Sequence, residues 1–352
     1  MNVYKSFLLL TASGLVGAGL GFSPDRVRAE APPTMPPLVL DQGPIGTRLD
    51  FDFVSGGKYF DGSEKVRESY PGFNFTDGKT TFGLSYGLTG DLTLGLSLPV
   101  IRRVYSGYYQ AMEEYLFECP GGGTSTTFTN YLNIPYDLKK TGIGDVTLET
   151  AYRFSQLPRF LPELAARIAW KAATGSSGID LDREEINLGD GQSDLFLGIN
   201  GKGKTDFLLY DFSFTYRIRF AGNYGVTQAY YDYETMEKKR YTETYHYQPG
   251  DEFSAGFGIS AYYRQLTLGV SGNYINIGKS RTWLEEIAEV GQGAGYYFNF
   301  TPAVSLKPSP GSAFSFSVEV PVAGKNYPVN SPSPLLYGLF DYRWSLDFQY
   351  RI

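Results

Sequence analysis

The feature that most constrains the fold of this chain is a strict alternation of apolar and polar residues. It is clearest in residues 341–352, where every second side chain is large and apolar and the side chains between them are polar or charged. Residues 210–220 follow the same rule, with aromatic residues and isoleucine alternating with aspartate, serine, threonine and arginine. Successive side chains of a β-strand point to opposite faces of its sheet. Both segments therefore predict strands with one apolar and one polar face.

The same alternation recurs along the chain and predicts about twelve strands. They cover residues 46–55, 78–88, 91–103, 143–155, 163–174, 192–201, 205–220, 251–264, 265–277, 294–306, 312–322 and 335–352. The connections between them are alternately short and long, which is typical of membrane barrels with short periplasmic turns and long extracellular loops. The predicted fold is all-β: a transmembrane, antiparallel, up-and-down β-barrel.

Composition and the N-terminus indicate which solvent each face meets. Charged residues make up 19% of the chain and aromatic residues 16%, whereas charged residues are roughly 25% of a soluble domain. Lys5, the apolar stretch 7–22 and the compact residues 27–29 predict a signal peptide over residues 1–29, removed on export. An exported barrel turns its apolar face to lipid and its charged face to the lumen.

The predicted signal peptide is followed by a proline-rich segment, residues 30–44. Proline has no backbone N–H to donate, so this segment is expected to stay outside the ladder, either as a periplasmic tail or as a small plug in the lumen. Residues 45–352 form the predicted barrel. We expect it in the outer membrane of a Gram-negative bacterium, with lipid, lipopolysaccharide and the barrel-assembly machinery as partners.

Charge and cysteine content narrow the function classes. The formal net charge is −6 and no basic cluster is present, which disfavours nucleic-acid binding. Cys119 is the only cysteine, so no internal disulfide can form. The sequence predicts no cofactor, no metal site and no catalytic residue.

Three glycine-containing segments resemble those of a known family. They are Tyr86–Leu94, Thr141–Leu148 and Ala173–Gly175, the last followed by residues 189–201. These segments are similar to the outer-membrane transporter family named for the MetA-pathway of phenol degradation, over roughly residues 78–220. The resemblance implies an outer-membrane channel or transporter for hydrophobic or aromatic compounds.

Three other patterns have a functional and a structural interpretation. Residues 198–205 match the phosphate-loop pattern letter for letter, but an alternating strand follows instead of a helix, so they are interpreted as a hairpin turn. His246 is the only histidine and has no flanking triad motif. The acidic residues of one long loop lack the spacing of a calcium loop and are interpreted as solvated. These are Asp180, Asp182, Glu184, Glu185, Asp190 and Asp194.

The best functional candidates are charged residues whose strand parity directs them into the lumen, where such residues tune pore selectivity. They are Asp145, Glu149, Arg153, Arg167, Lys171, Asp211, Arg217, Arg219, Arg343, Asp347 and Arg351. The main hypothesis is passage of a small-molecule solute along this lumen, narrowed by loops 104–142 and 221–250. Two alternatives remain: a rim enzyme using His246, and a structural or adhesive barrel with a filled lumen.

Overall fold

A computed structural model of the protein describes twelve stretches of the chain. They are residues 43–61, 64–67, 74–117, 126–154, 162–180, 183–205, 208–232, 237–284, 288–292, 294–309, 311–325 and 339–351. The predicted signal peptide, most of the proline-rich segment, Cys119 and Asp182 lie outside these residues. Within them the chain forms strands, and no helix there is long and apolar enough to cross a membrane.

The described residues form nineteen strands. In chain order these are β1 (Ile45–Asp61), β2 (Glu64–Arg67), β3 (Asn74–Gly87), β4 (Leu92–Phe117), β5 (Thr126–Ile143), β6 (Thr147–Arg153), β7 (Glu163–Lys171), β8 (Ile179–Asp180), β9 (Asp194–Lys204), β10 (Leu208–Arg219), β11 (Gly222–Asp232), β12 (Glu237–Gln248), β13 (Glu252–Tyr263), β14 (Leu266–Ile277), β15 (Ser280–Leu284), β16 (Ala288–Gln292), β17 (Gly295–Ser309), β18 (Ser312–Lys325) and β19 (Leu339–Arg351).

Twelve of these strands close into a barrel. Their order is β1-β3-β4-β6-β7-β9-β10-β13-β14-β17-β18-β19, and β19 pairs back with β1 to complete the ring. Every neighbouring pair is antiparallel, as in the pairing of Gly46 with Arg351 at the closing seam. The predicted antiparallel up-and-down barrel of twelve strands is confirmed, because each predicted segment corresponds to one barrel strand.

The two ends of the barrel differ. At one end, which we call the turn end, β1 begins, β19 ends and five connections of at most nine residues join successive barrel strands. The opposite end, the loop end, carries the long connections. There β4 and β5 continue as a hairpin, and β8, β11, β12, β15 and β16 form a separate five-stranded sheet. Segments predicted as loops, 104–142 and 221–250, therefore contain strands.

The outer face of the barrel is apolar and the inner face is polar. Outward side chains such as Ile143, Ile168 and Phe257 are more than half exposed. Inward side chains such as Asp50 and Asn273 are buried. This inversion of the usual soluble pattern is stable only where lipid covers the outside, because hydrocarbon is the solvent that apolar side chains prefer. The fold is that of a transmembrane β-barrel.

The segment matching the phosphate-loop pattern lies in a strand, not in a turn. β9 extends to Lys204, so the predicted turn at residues 201–204 is wrong, and the chain reverses only after that residue. Gly201 and Gly203 lie directly opposite Phe212 and Tyr210 on β10. A Cβ atom on either glycine would lie within about 2.2 Å of the facing ring. These glycines make room for aromatic side chains, and in the described part of the chain no helix follows them to hold a phosphate at its N-terminus.

The inverted faces predict a depth-dependent cost for a charge on the outer surface. Phe257→Arg in the middle of β13 should lower the free energy of unfolding by about 2–4 kcal/mol, because the guanidinium would lie in the hydrocarbon core. Tyr263→Arg, on the same face at the turn end, should cost about 0–1 kcal/mol. Denaturant titration in lipid vesicles measures both, and equal costs at the two sites would contradict the assignment of this face to lipid.

Candidate functional site in the barrel lumen

The lumen contains two networks of paired charges. The first, which we call the seam network, lies where β1 and β19 close the barrel. Arg48 Nε is 2.7 Å from Asp50 and its Nη2 is 2.9 Å from Asp347. Arg343 lies 3.4 Å from Asp52, whose other oxygen accepts a hydrogen bond from Ser345. The seam network thus joins the first and last strands across the inside of the barrel.

The second network, the central network, is organised by Lys171 on β7. Its Nζ lies 2.5 Å from Asp190, 2.7 Å from Asp194 and 3.6 Å from Asp145. Asp194 is fully buried and also binds Arg217 at 2.5 Å. Burying these charges is tolerated because each has opposite charges in contact.

The central network continues around the barrel wall. Arg217 lies 3.7 Å from Glu252 on β13, which also pairs with Arg219. On the other side, Arg167 of β7 pairs with Glu149 of β6 at 2.5 Å. These inward charges therefore bind one another across neighbouring strands.

The remaining predicted residues lie at the turn end. Arg153 pairs with Asp91 at 3.3 Å and lies 3.9 Å from Glu163. Asp211 on β10 lies directly opposite Lys202 on β9. Arg351 ends the described part of β19 and is half-buried. The structure therefore brings the predicted charges together in three separate places.

A segment of the loop between β7 and β9 folds into the loop end of the barrel. We call residues 183–192 the inward segment. Ile186, Asn187 and Leu188 are all buried. The carbonyl of Asn187 accepts a hydrogen bond from Arg103 on β4, and the amide of Lys139 on β5 donates to the carbonyl of Glu184. The inward segment therefore packs against β4 and β5 at this end of the barrel.

Close backbone packing holds the inward segment against the barrel wall. The strand ladder is interrupted at residues 144–146, between β5 and β6. Asp145 there accepts a hydrogen bond from the amide of Gly175 at 2.8 Å. A Cβ atom on Gly189 would lie 2.6 Å from Asp145 and 3.0 Å from the backbone of Gly175. Only glycine allows this approach without a shift.

Part of the interior near the loop end is apolar. Its buried side chains come from the barrel wall and from the inward segment, and we call them the apolar vestibule. They are Ile101, Tyr105, Leu138, Ile186, Leu188, Ile275, Ile277 and Tyr297. These hydrophobic side chains lie at the same end as part of the central network, since Ile277 on β14 lies directly opposite Glu252 on β13.

One wall of the lumen carries small neutral polar side chains. These residues lie on β13, β14, β17 and β18, and we call them the neutral wall. They are Ser254, Ser260, Thr267, Ser271, Asn273, Asn299, Thr301, Ser305, Ser315 and Ser317. Both amide atoms of Asn273 and the hydroxyl of Ser271 have no hydrogen-bond partner among the described residues. Prediction from charge alone missed this wall, although Ser315 and Ser317 at alternate positions of β18 are part of its sequence signal.

The other singled-out residues have plain structural roles. His246 is exposed, and its Nδ1 lies 2.5 Å from the amide oxygen of Asn223. The interpretation of the acidic loop as solvated is wrong for Asp190 and Asp194, which bind Lys171. Asp180 pairs with Arg240, and Glu185 pairs with Lys140. These carboxylates neutralise cations within the fold.

The fold and its lumen define a class, the transmembrane β-barrels, and solved structures of that class share the architecture. An outer membrane channel from Pseudomonas putida is similar with a TM-score of 0.59 and 13% identity, over 95% of this chain and 100% of that one. At this identity the likeness shows the fold alone. A toluene transporter from Ralstonia pickettii shares 12% identity over 96% of both chains. Its TM-score of 0.41 is too low to support a conclusion about this protein. No family model and no curated protein matches the chain.

The central network predicts a large penalty for removing its shared carboxylate. Asp194→Asn should lower the free energy of unfolding by about 3 kcal/mol, because Lys171 and Arg217 would lose a buried counter-charge. Glu163→Gln, whose carboxylate is one-third exposed, should cost about 0–1 kcal/mol. Denaturant titration of both variants in lipid vesicles measures the difference. A cost below about 1 kcal/mol for Asp194→Asn would show that the network is not holding the strands together.

Proposed function

We propose that this protein is an outer-membrane channel or transporter that passes small molecules through its barrel lumen. The observation that carries the proposal is the unequal lining of that lumen. Charged side chains pair with one another along one side, whereas the neutral wall presents short hydroxyl and amide side chains. Short neutral side chains are held less firmly than paired charges, so we place the solute path along the neutral wall.

The apolar vestibule supports a hydrophobic or aromatic solute. Side chains such as Tyr105, Ile275 and Tyr297 favour transfer of an apolar molecule from water, because burying apolar surface is favourable. The resemblance to the phenol-degradation transporter family points to the same class of solute. The solved channel of similar fold is itself described as an outer membrane channel. The predicted charges, including Asp145, Arg153 and Arg217, are proposed to border this path.

The direction of the barrel follows from its connections. Short turns of outer-membrane barrels face the periplasm and long loops face the exterior. We therefore place the turn end in the periplasm and the apolar vestibule at the outer surface. Lipid and lipopolysaccharide would contact the outward apolar face, and the barrel-assembly machinery would insert the chain. A structural or catalytic role has no comparable support, since His246 contacts an amide instead of a carboxylate or a serine.

The proposed path predicts conduction that aromatic solutes inhibit. The refolded mature chain in a planar bilayer should show discrete single-channel currents, and millimolar aromatic solute should reduce them by occupying the lumen. A folded barrel that never conducts, and through which aromatic solutes do not cross vesicle membranes, would contradict the proposal. Folding is checked separately by the shift in gel mobility on heating.

The inward segment predicts a variant with higher conductance. Gly189→Ala places a Cβ 2.6 Å from Asp145, so the segment must move away from the wall and uncover the loop end. Gly178→Ala in the same loop is the matched control, because its Cβ would make an ordinary contact of 3.6 Å. Single-channel recording should show a larger mean conductance for Gly189→Ala only. An unchanged current would mean that the inward segment does not limit passage.

A further inference from the structure

Three lysines face the lumen at the turn end of the barrel. Lys202 and Lys204 lie on β9 at positions that share the inward face with buried Asp194. Lys307 lies on β17 at a position that shares the inward face with buried Ser305. We call these three residues the lysine mouth. They lie outside the charge networks described above, apart from one contact made by Lys202.

The lysine mouth brings together strands that are far apart in the wall. β10, β13 and β14 lie between β9 and β17. The Nζ of Lys204 nevertheless lies 4.9 Å from the ring centroid of Tyr262 on β13. Lys307 donates its backbone N–H to the carbonyl of Gln265, in the turn between β13 and β14. Tyr262 lies directly opposite Thr267, which lies directly opposite Ser305 on β17, two residues before Lys307. Lys204 and Lys307 therefore flank Tyr262 at this rim.

The charge of the lysine mouth is only partly balanced. Lys202 pairs with Glu163 at 3.1 Å and faces Asp211 across the strand pair. Within the described part of the chain, Lys204 and Lys307 form no ion pair with a carboxylate. Two like charges held close together raise the free energy of the folded state, and an anion bound between them lowers it. An unbalanced pair at the exit of a channel in an acidic chain points to a ligand of opposite charge.

We propose that the lysine mouth binds the carboxylate of a small aromatic acid. Lys204 and Lys307 would contact the carboxylate, and the ring of Tyr262 would pack against the apolar body. The proposal rests on the proposed function, which brings the solute to this end of the lumen, and it names the chemical class of that solute. It also places the strongest attraction for such an acid at the periplasmic exit, beyond the neutral wall.

Calorimetric titration of the refolded full-length mature chain with benzoate tests this inference. Benzyl alcohol is the neutral probe of the same size. Lys204→Gln/Lys307→Gln should weaken benzoate binding about tenfold, the scale expected for two lost charge contacts at a wet rim. The same variant should leave the affinity for benzyl alcohol unchanged. Lys204→Arg/Lys307→Arg should retain benzoate binding because it retains the charge.

Lys279→Gln is the matched control, because Lys279 is an exposed lysine at the opposite, loop end. The inference would be overturned if this control weakened benzoate binding as much as the double glutamine variant does. It would also be overturned if the wild type and the double glutamine variant bound benzoate with equal affinity. An equal loss of benzyl alcohol binding would overturn it too. Titration in detergent needs no conduction, so a barrel that binds benzoate through its lysines but does not conduct would count against the proposed function alone.

Discussion

The structure depends on the pairing of β1 with β19. A strand edge left open in hydrocarbon exposes backbone N–H and C=O groups that cannot bind water, which costs several kcal/mol for each group. Twelve residue pairs close that edge along the seam. The seam network, with Arg48 between Asp50 and Asp347, adds contacts between the same two strands from inside the barrel. Closure then fixes which side chains face lipid and which face the lumen.

A closed barrel of this size leaves little interior space, so the choice of inward side chains decides whether anything can pass. Twelve strands enclose room for side chains and a small ligand. Around Lys171 and Asp194 that room is occupied by ion pairs that stabilise the wall. Along the neutral wall, serines such as Ser271 occupy less volume. The same interior thereby combines a stabilising side with a side suited to a solute.

The alternation of residues predicted the barrel, its strand number and the inward face well, because each strand reports its own two faces locally. It could not predict which charges meet. Lys171 and Asp194 are brought together by the register in which β7 pairs with β9, which the alternation does not encode. The inward segment was also missed, since it depends on Gly175 and Gly189 packing against Asp145. The neutral wall was overlooked because only charged residues were considered as lumen candidates.

Thiol modification at the neutral wall tests the central claim most directly. In a Cys119→Ala background, Ser271→Cys places a thiol on the inward face, and Val270→Cys places one on the adjacent lipid-facing position. A membrane-impermeant methanethiosulfonate, with labelling confirmed by mass, should reduce the single-channel current of Ser271→Cys and leave that of Val270→Cys unchanged. Full current through a labelled Ser271→Cys barrel would show that solutes do not follow the neutral wall.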